Sequence, residues 1–154
     1  MKFLLSATFL LFCLENFAQQ QTPFFEQIAF DYFKKEIITK EKIENKLYVN
    51  DSISSYGKPF DWLRCFKTYK SDDLLSTNAS HQTIIEIMET KNSKIFKATK
   101  RHKSNCNVVE SIDMKNGNHI VNIVVYGKYH GDVYHIEMDE KGNILKWCKG
   151  GWVE

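Results

Sequence analysis

The segment from residue 129 to 137 holds the densest group of side chains that could do chemistry. His130 and Asp132 lie at a predicted turn, while His135 and Glu137 are two residues apart on a predicted strand and share one face. Two imidazoles and two carboxylates could bind a metal ion, or supply a general base and its orienting partner. The four residues match no established motif, so a solvent-facing side of an amphipathic strand is the simpler interpretation.

Motifs of the large enzyme classes do not occur in the sequence. It contains no Gly-rich phosphate loop, no G-x-S-x-G, no H-E-x-x-H and no catalytic Cys-His signature. The cysteine spacing also matches no zinc motif, and no cofactor or metal is predicted. The sequence therefore favours a binding or interaction protein over an enzyme, with a small enzyme using His130, Asp132, His135 and Glu137 as the alternative.

Two further groups of residues could bind a partner. Tyr126, Trp147 and Trp152 lie near Gly150-Gly151, and aromatic rings there could line a glycan or peptide groove. Core positions in a small sheet are the alternative for these three rings. The segment 91–103 is basic and contains no acidic residue; its cations are Lys91, Lys94, Lys97, Lys100, Arg101 and Lys103.

This basic segment could bind lipopolysaccharide, an acidic glycan or an acidic protein. Lysines that protect a sheet edge from aggregation are the competing interpretation. The expected partner is thus an unknown protein, a peptide or an envelope glycan, and an inhibitor or immunity factor acting on an enzyme is a special case.

The first 18 residues have the pattern of a secretory signal peptide. Lys2 precedes an apolar run over residues 3–14, and Ala18 offers a small residue for cleavage. The run is shorter than the ~20 residues of a membrane span, so no stable membrane insertion is expected after cleavage. We therefore predict a secreted or periplasmic protein, a location that also disfavours nucleic acid as a partner.

The mature chain, residues 19–154, is predicted to form a single domain. Its length is sufficient for one hydrophobic core. Lys2 and Glu15 leave together, so the net charge stays at +2 and predicts no strongly acidic or nucleic-acid partner. The aromatic content of 14% is typical of a packed domain rather than a disordered chain.

Cleavage of the leader leaves three of the four cysteines, because Cys13 is removed. Cys65, Cys106 and Cys148 would then lie in an oxidising compartment, where one disulfide and one leftover thiol are expected. Cys106 and Cys148 begin and end a predicted four-strand sheet, about 14 Å apart across three strand spacings. A disulfide needs Cα atoms within about 7 Å, so we predict a bridge between Cys65 and one of the other two.

The first predicted element is an amphipathic helix over residues 23–39. Its apolar residues recur at three-and-four spacing: Phe25, Ile28, Ala29, Tyr32, Phe33 and Ile37. The opposite side, which includes Lys34 and Lys35, is predicted to be solvated. Strands are predicted over residues 46–50, 83–88 and 96–100. Residues 70–80 are predicted to be loop. Residues 60–66 could be a short helix or an irregular core segment.

Residues 107–149 predict an antiparallel meander of four strands. Apolar residues alternate with polar ones, and turn signals occur at Asn116-Gly117, at Gly131 and over residues 139–143. The predicted strands are 108–114, 119–126, 133–138 and 144–148. The fold class is therefore α+β, with the N-terminal helix packed on a C-terminal antiparallel sheet, an element order shared with cystatin-like and NTF2-like cones.

Overall fold

A computed structural model of the chain describes residues 22–55, 62–77, 82–89, 93–127 and 130–153. The predicted signal peptide lies outside the described residues. The fold is α+β, as predicted: one N-terminal helix packs on a mixed seven-stranded sheet. In the described part of the chain, no helix combines the length and apolar character that a membrane crossing requires.

The N-terminal helix begins at Phe25, close to its predicted start. Helix α1 (Phe25–Tyr32) continues into a π-helical segment (Phe33–Ile37) and a last α-helical turn (Ile38–Lys40). The π segment adds one residue to a turn, so Ile37 and Ile38 can both be buried on the same side of the helix. The apolar stripe that predicted this helix therefore faces the sheet, and only the π segment departs from the expected regular spacing.

The remaining elements are short in the middle of the chain and long at its end. The strands are β1 (Leu47–Val49), β2 (Leu74–Thr77), β3 (Ile95–Lys97), β4 (Cys106–Met114), β5 (His119–Tyr126), β6 (His130–Met138) and β7 (Ile144–Val153). Helix α2 (Trp62–Cys65) and a 3-10 turn (Ser71–Asp73) precede β2. The ambiguous 60–66 segment therefore contains a short helix.

Strands β4 to β7 pair antiparallel with their neighbours in chain order, while β1 is parallel to both β3 and β4. The order across the sheet is β3-β1-β4-β5-β6-β7, and β2 pairs with the C-terminal part of β4. A bulge interrupts β4 between Val109 and Ile112. Because a bulge bends its strand, the N-terminal end of β4 can pair with β1 and its C-terminal part can pair with β2.

Two predictions for the middle of the chain are wrong. Residues 70–80, predicted as loop, contain β2, which forms because β4 offers a partner edge far away in sequence. Residues 83–88, predicted as a strand, form only an isolated bridge from Ile84 to Ser52, with Ile85 donating its backbone N–H to Asp51. Two residues after Ser52, Ser54 bridges Val109 of β4 instead, so the pairing with Ile84 is not extended into a ladder.

The sheet has an apolar cluster on each face. The helix side carries the larger cluster, built from the helix stripe and residues such as Val121, Ile123 and Ile136. The opposite face, called here the cover side, packs under residues 62–74, the cover segment. Phe66 is the buried residue of the cover segment in that cluster, and Ile112, Met114 and Ile120 lie beneath it.

The disulfide joins Cys65 of the cover segment to Cys148 of β7, with Cα atoms 5.8 Å apart. Cys106 remains a buried free cysteine, and burial raises the pKa of its thiol to about 12. The prediction of one bridge that includes Cys65 and leaves one free thiol is therefore confirmed. The bridge attaches the cover segment to the last strand of the sheet.

Candidate functional site

The sheet divides the four residues that the sequence grouped as a candidate catalytic cluster. Strand β6 is regular against β5, so successive side chains alternate between the two faces. His130 and Asp132 take the positions of the helix side, whereas His135 and Glu137 take those of the cover side. The four side chains therefore do not converge. The sequence interpretation missed this because it began the strand at Val133 and placed His130 and Asp132 in a turn.

On the helix side, Asp132 belongs to a surface ion-pair network. Its carboxylate lies 3.1 Å from Lys149 Nζ, which is also 3.4 Å from the carboxylate of Glu41. The same ammonium group lies 5.7 Å from the centre of the Tyr134 ring. Burial raises the pKa of Tyr134 to about 12, so this phenol stays protonated at physiological pH. His130 is exposed at the start of β6.

On the cover side, His135 is buried and packed. Its Nδ1 lies 2.6 Å from Oδ1 of Asn122, which is buried as well. The Phe66 ring meets the imidazole edge-on, with ring centres 6.3 Å apart. Gly150 of β7 makes room for the ring, because a Cβ atom there would lie 3.1 Å from His135 Nε2. The side chain therefore fills a structural position beneath the cover segment.

Glu137 is the centre of a second buried network on that side. Tyr69 Oη donates a hydrogen bond to Glu137 Oε1 at 2.5 Å, and Asn118 Nδ2 donates to the same oxygen at 2.6 Å. Lys146 Nζ lies 3.0 Å from Oε2 and 5.0 Å from the centre of the Phe66 ring. Burial and the bond to Glu137 raise the pKa of Tyr69, so its phenol acts as a donor here.

Asp132, His135 and Glu137 therefore bond to residues outside the predicted acid–base group, and the four side chains are not aimed at a common point. A catalytic base must reach the proton it removes, and both buried residues lie under the cover segment. Within the described ranges, no three His, Cys, Asp or Glu side chains come together as ligands for a metal ion. The observed arrangement attaches the cover segment to the sheet.

The three predicted binding aromatics do not form one surface. Tyr126 is exposed at the end of β5 on the cover side, whereas Trp147 lies on the helix side, partly buried against Tyr134. Trp152 pairs with Gly131 on β7, and its side chain is outside the described part of the structure. Of these residues, Trp147 therefore has the core role that the sequence left open.

The residues of the basic segment 91–103 have different environments: a lysine forms an ion pair, a histidine stacks on an aromatic ring and others are exposed. Lys97 pairs with Asp51, and the His102 imidazole stacks on the Tyr48 ring with centres 4.2 Å apart. Lys100, Arg101 and Lys103 are exposed, as Lys97 is. Lys91 lies outside the described residues. Lys94 joins a groove that the sequence interpretation did not foresee.

This groove, called here the lysine groove, runs between the last turns of the N-terminal helix and a second wall that includes Met88 and residues 93–95. Its cavity volume is about 760 Å³. That size is in the range of pockets that hold small ligands or peptide side chains. Its charged lining residues are Asp31, Lys34, Lys35, Lys42, Glu44 and Lys94. The apolar part of the lining includes Ile38, Met88 and Ile95.

Two unusual backbone conformations border the lysine groove. Lys34 and Lys35 belong to the π-helical segment, a deviation often found at functional sites. Lys42 has a φ of 52°, in the left-handed region that favours glycine. From the sequence, Lys34 and Lys35 belonged to a solvated helix face, because periodicity carries no information about a second wall across the groove.

Comparison of the chain with protein-family models, with curated proteins and with solved structures finds no match.

Proposed function

We propose that the mature chain is a secreted or periplasmic binding protein that recognises its partner through the lysine groove and has no catalytic role. The observation that carries this proposal is the groove itself: an open cavity of about 760 Å³ with four lysines and an apolar floor. Charged residues outnumber apolar ones in its lining, a composition that favours a charged ligand with an apolar part.

The alternative, a small enzyme using His130, Asp132, His135 and Glu137, has weaker support. Two of these side chains occupy each face of the sheet, and the two on the cover side are buried with close polar partners. An acid–base pair acting on one substrate would have to reach it from a common space. The lysine groove is lined by none of the four residues.

The proposed location agrees with the leader and with the cysteines. A signal peptide over residues 1–18 would deliver the chain to an oxidising compartment, where the Cys65–Cys148 bridge is stable. We propose further that the helix and strands β4 to β7, a four-strand meander, belong to a cone of the cystatin-like or NTF2-like kind. Binding proteins, inhibitors and enzymes all occur with such folds, so the fold alone does not indicate the function.

A pull-down from envelope extract with the mature chain, residues 19–154, tests the proposal. The groove variant carries Lys35→Glu and Lys42→Glu. The matched control carries Lys67→Glu and Lys115→Glu, exposed lysines away from the groove that give the same change in net charge. We expect wild type and control to capture the same partner reproducibly, and the groove variant to lose it.

The outcomes separate the two parts of the proposal. Failure of wild type to capture any reproducible partner would contradict a binding function. Equal capture by all three proteins would retain the binding function and reject the groove as its site. If the partner is an enzyme, its activity with and without the mature chain decides whether the protein is an inhibitor or immunity factor.

A further inference from the structure

We infer that the ligand of the lysine groove is an acidic segment of a partner protein, in which an aliphatic side chain lies between acidic residues. This inference rests on the proposed binding function and names the chemistry of its ligand. It depends on four features: the charges, the apolar floor, the protected edge of β3, and the backbone of Lys42.

The charges of the groove favour an anion with more than one carboxylate. Four lysines face two acids, and only Lys34 is paired with one of them, its Nζ lying 2.7 Å from Asp31. Lys94 Nζ donates to the backbone carbonyl of Ile43 at 2.9 Å rather than to a carboxylate. Lys35 and Lys42 are exposed, without an acidic partner among the described residues. These two cations are available to carboxylates of a ligand.

The apolar floor favours a peptide over a glycan or a lipid surface. Ile38 and Ile95 are buried, and the Met88 side chain is 69% exposed beside them. An unbranched thioether adapts to an apolar side chain of variable shape. The described lining contains no aromatic ring on which a sugar could stack, and a concave groove fits a protruding side chain better than the flat surface of a membrane.

The edge of β3 beside the groove is closed to an added strand. Lys97 donates its backbone N–H to Glu89 Oε1 at 2.8 Å, and Ile95 donates its own to Ser93 Oγ at 3.0 Å. Peptides that extend a sheet require such groups to be free. The ligand is therefore recognised by its side chains, so the spacing of its acidic and aliphatic residues determines specificity.

Lys42 occupies a position at which glycine would be more stable. The N-terminal helix ends in a Schellman motif, with Ile43 N–H bonded to Ile38 O and Lys42 N–H bonded to Thr39 O. The left-handed residue of that motif is usually glycine, but here it is Lys42, with φ 52°. A charged side chain at a strained position on the groove wall is consistent with a role in binding rather than in stability.

Fluorescence anisotropy with labelled peptides tests the inference on the mature chain. The probe is GDELEDG, and the matched peptides are GDESEDG, which lacks the aliphatic side chain, and GKKLKKG, which reverses the charge. We expect GDELEDG to bind, with affinity falling as salt increases. Loss of the leucine should weaken binding by about tenfold, since one buried aliphatic side chain contributes on this scale, and GKKLKKG should not bind.

Lys42→Gly separates binding from stability. It should raise the Tm, because glycine adopts the left-handed conformation without strain, and it should weaken GDELEDG binding by at least about threefold through loss of one charge. Lys35→Gln should weaken binding without raising the Tm, and Lys115→Gln should change neither. Unchanged binding in both groove variants would overturn the assignment of the site.

Two further probes test the class of ligand. Binding of heparin or of phosphatidylglycerol vesicles in preference to GDELEDG, with the same dependence on Lys35 and Lys42, would overturn the peptide assignment. Absence of binding by every probe, together with a captured partner whose recovery depends on these lysines, would reject this ligand chemistry and leave the proposed function standing. If wild type also captures no reproducible partner, both this ligand chemistry and the proposed binding function are rejected.

Discussion

Glu26 accepts a hydrogen bond from the backbone N–H of Ser111, with 2.8 Å between Glu26 Oε1 and Ser111 N. The carboxyl group extends from the first turn of the helix to the bulge in β4 and is fully buried. Its Oε2 atom is also buried and has no hydrogen-bond partner among the described residues. A polar side chain thus connects the helix to the bulge of β4 between Val109 and Ile112.

Glu26→Gln should make the protein more stable at alkaline pH. Burial raises the pKa of Glu26 above its usual 4.5, with the nearby Glu110 adding to the rise. The folded protein therefore holds a proton that the unfolded chain loses, and its stability falls as pH rises from about 4.5 through the raised pKa. Glutamine keeps the acceptor for Ser111 and cannot ionise, so this part of the pH dependence should disappear.

Urea unfolding at pH 4 and pH 8 measures the effect. Wild type and Glu26→Gln should have similar stability at pH 4, and the variant should be the more stable at pH 8. Glu26→Ala is the control for the hydrogen bond. Relative to Glu26→Gln it should lose roughly 1–3 kcal/mol at both values, because the Ser111 N–H becomes buried and unpaired. A parallel pH dependence of wild type and Glu26→Gln would refute the argument.

Removal of the disulfide should destabilise the mature chain by roughly 2–5 kcal/mol. The Cys65–Cys148 bridge closes a long loop, with a sequence separation of 83, and attaches the cover segment to β7. Unfolding of the double variant Cys65→Ser/Cys148→Ser measures this loss against wild type. Mass spectrometry of denatured, alkylated protein provides the chemical test: one label without reduction, on Cys106, and three after it. Three labels without reduction would rule out the bridge.

Tyr69→Phe should cost roughly 1.5–3 kcal/mol, the scale of a hydrogen bond to a charged group. The change removes the donor to Glu137 and the acceptor used by Asn118, whose Nδ2 lies 2.9 Å from the Tyr69 hydroxyl. Tyr48→Phe is the control, since the Tyr48 hydroxyl makes no hydrogen bond within the described ranges. Similar midpoints in urea unfolding for both variants would show that the network contributes little.

Two glycines at hairpin turns offer a matched pair of substitutions. Gly117 and Gly142 have nearly equal positive φ values, 82° and 83°. A Cβ on Gly117 meets nothing within 4 Å, whereas one on Gly142 would lie 2.6 Å from Ile28 Cδ1 on the helix. Gly117→Ala should cost about 1–2 kcal/mol of strain. Gly142→Ala should cost about 0.5–1.5 kcal/mol more, because the Cδ1 methyl of the partly buried Ile28 side chain has to rotate away from the new Cβ.

The Ile28→Val variant tests this origin of the extra cost. Valine lacks Cδ1, so in the Ile28→Val background Gly142→Ala should lose much of its excess over Gly117→Ala. A double-mutant cycle in thermal unfolding measures the coupling. If the excess is unchanged in that background, the contact between the β6–β7 turn and the helix is not its cause.

Some elements could be predicted from sequence because their signal is local. The helix follows from a stripe at three-and-four spacing, and the last four strands follow from alternation and from Asn-Gly and Lys-Gly turns. Strand β2 was not predicted, because its four residues form a strand only through pairing with β4, which is distant in the sequence. The burial of Glu26 escaped for a similar reason, since its partner lies 85 residues away.

The candidate site was less predictable than the fold. His135 and Glu137 were correctly assigned to one face, because the period of a strand is two. His130 and Asp132 were separated from them only once the structure extended β6 back to residue 130. The lysine groove had no sequence signal beyond polar residues on a helix, since its second wall comes from Met88 and residues 93–95.

The sequence by itself determined the α+β class, the helix, the long C-terminal strands and the participation of Cys65 in a disulfide. These follow from periodicity, turn chemistry and cysteine number, together with the standard strand spacing that separates Cys106 from Cys148 in the predicted sheet. Only the tertiary structure decided that Cys148 is the partner, that the candidate catalytic residues lie on opposite faces, and that helix lysines border a groove. Those outcomes depend on distances between segments far apart in the chain, which local patterns do not encode.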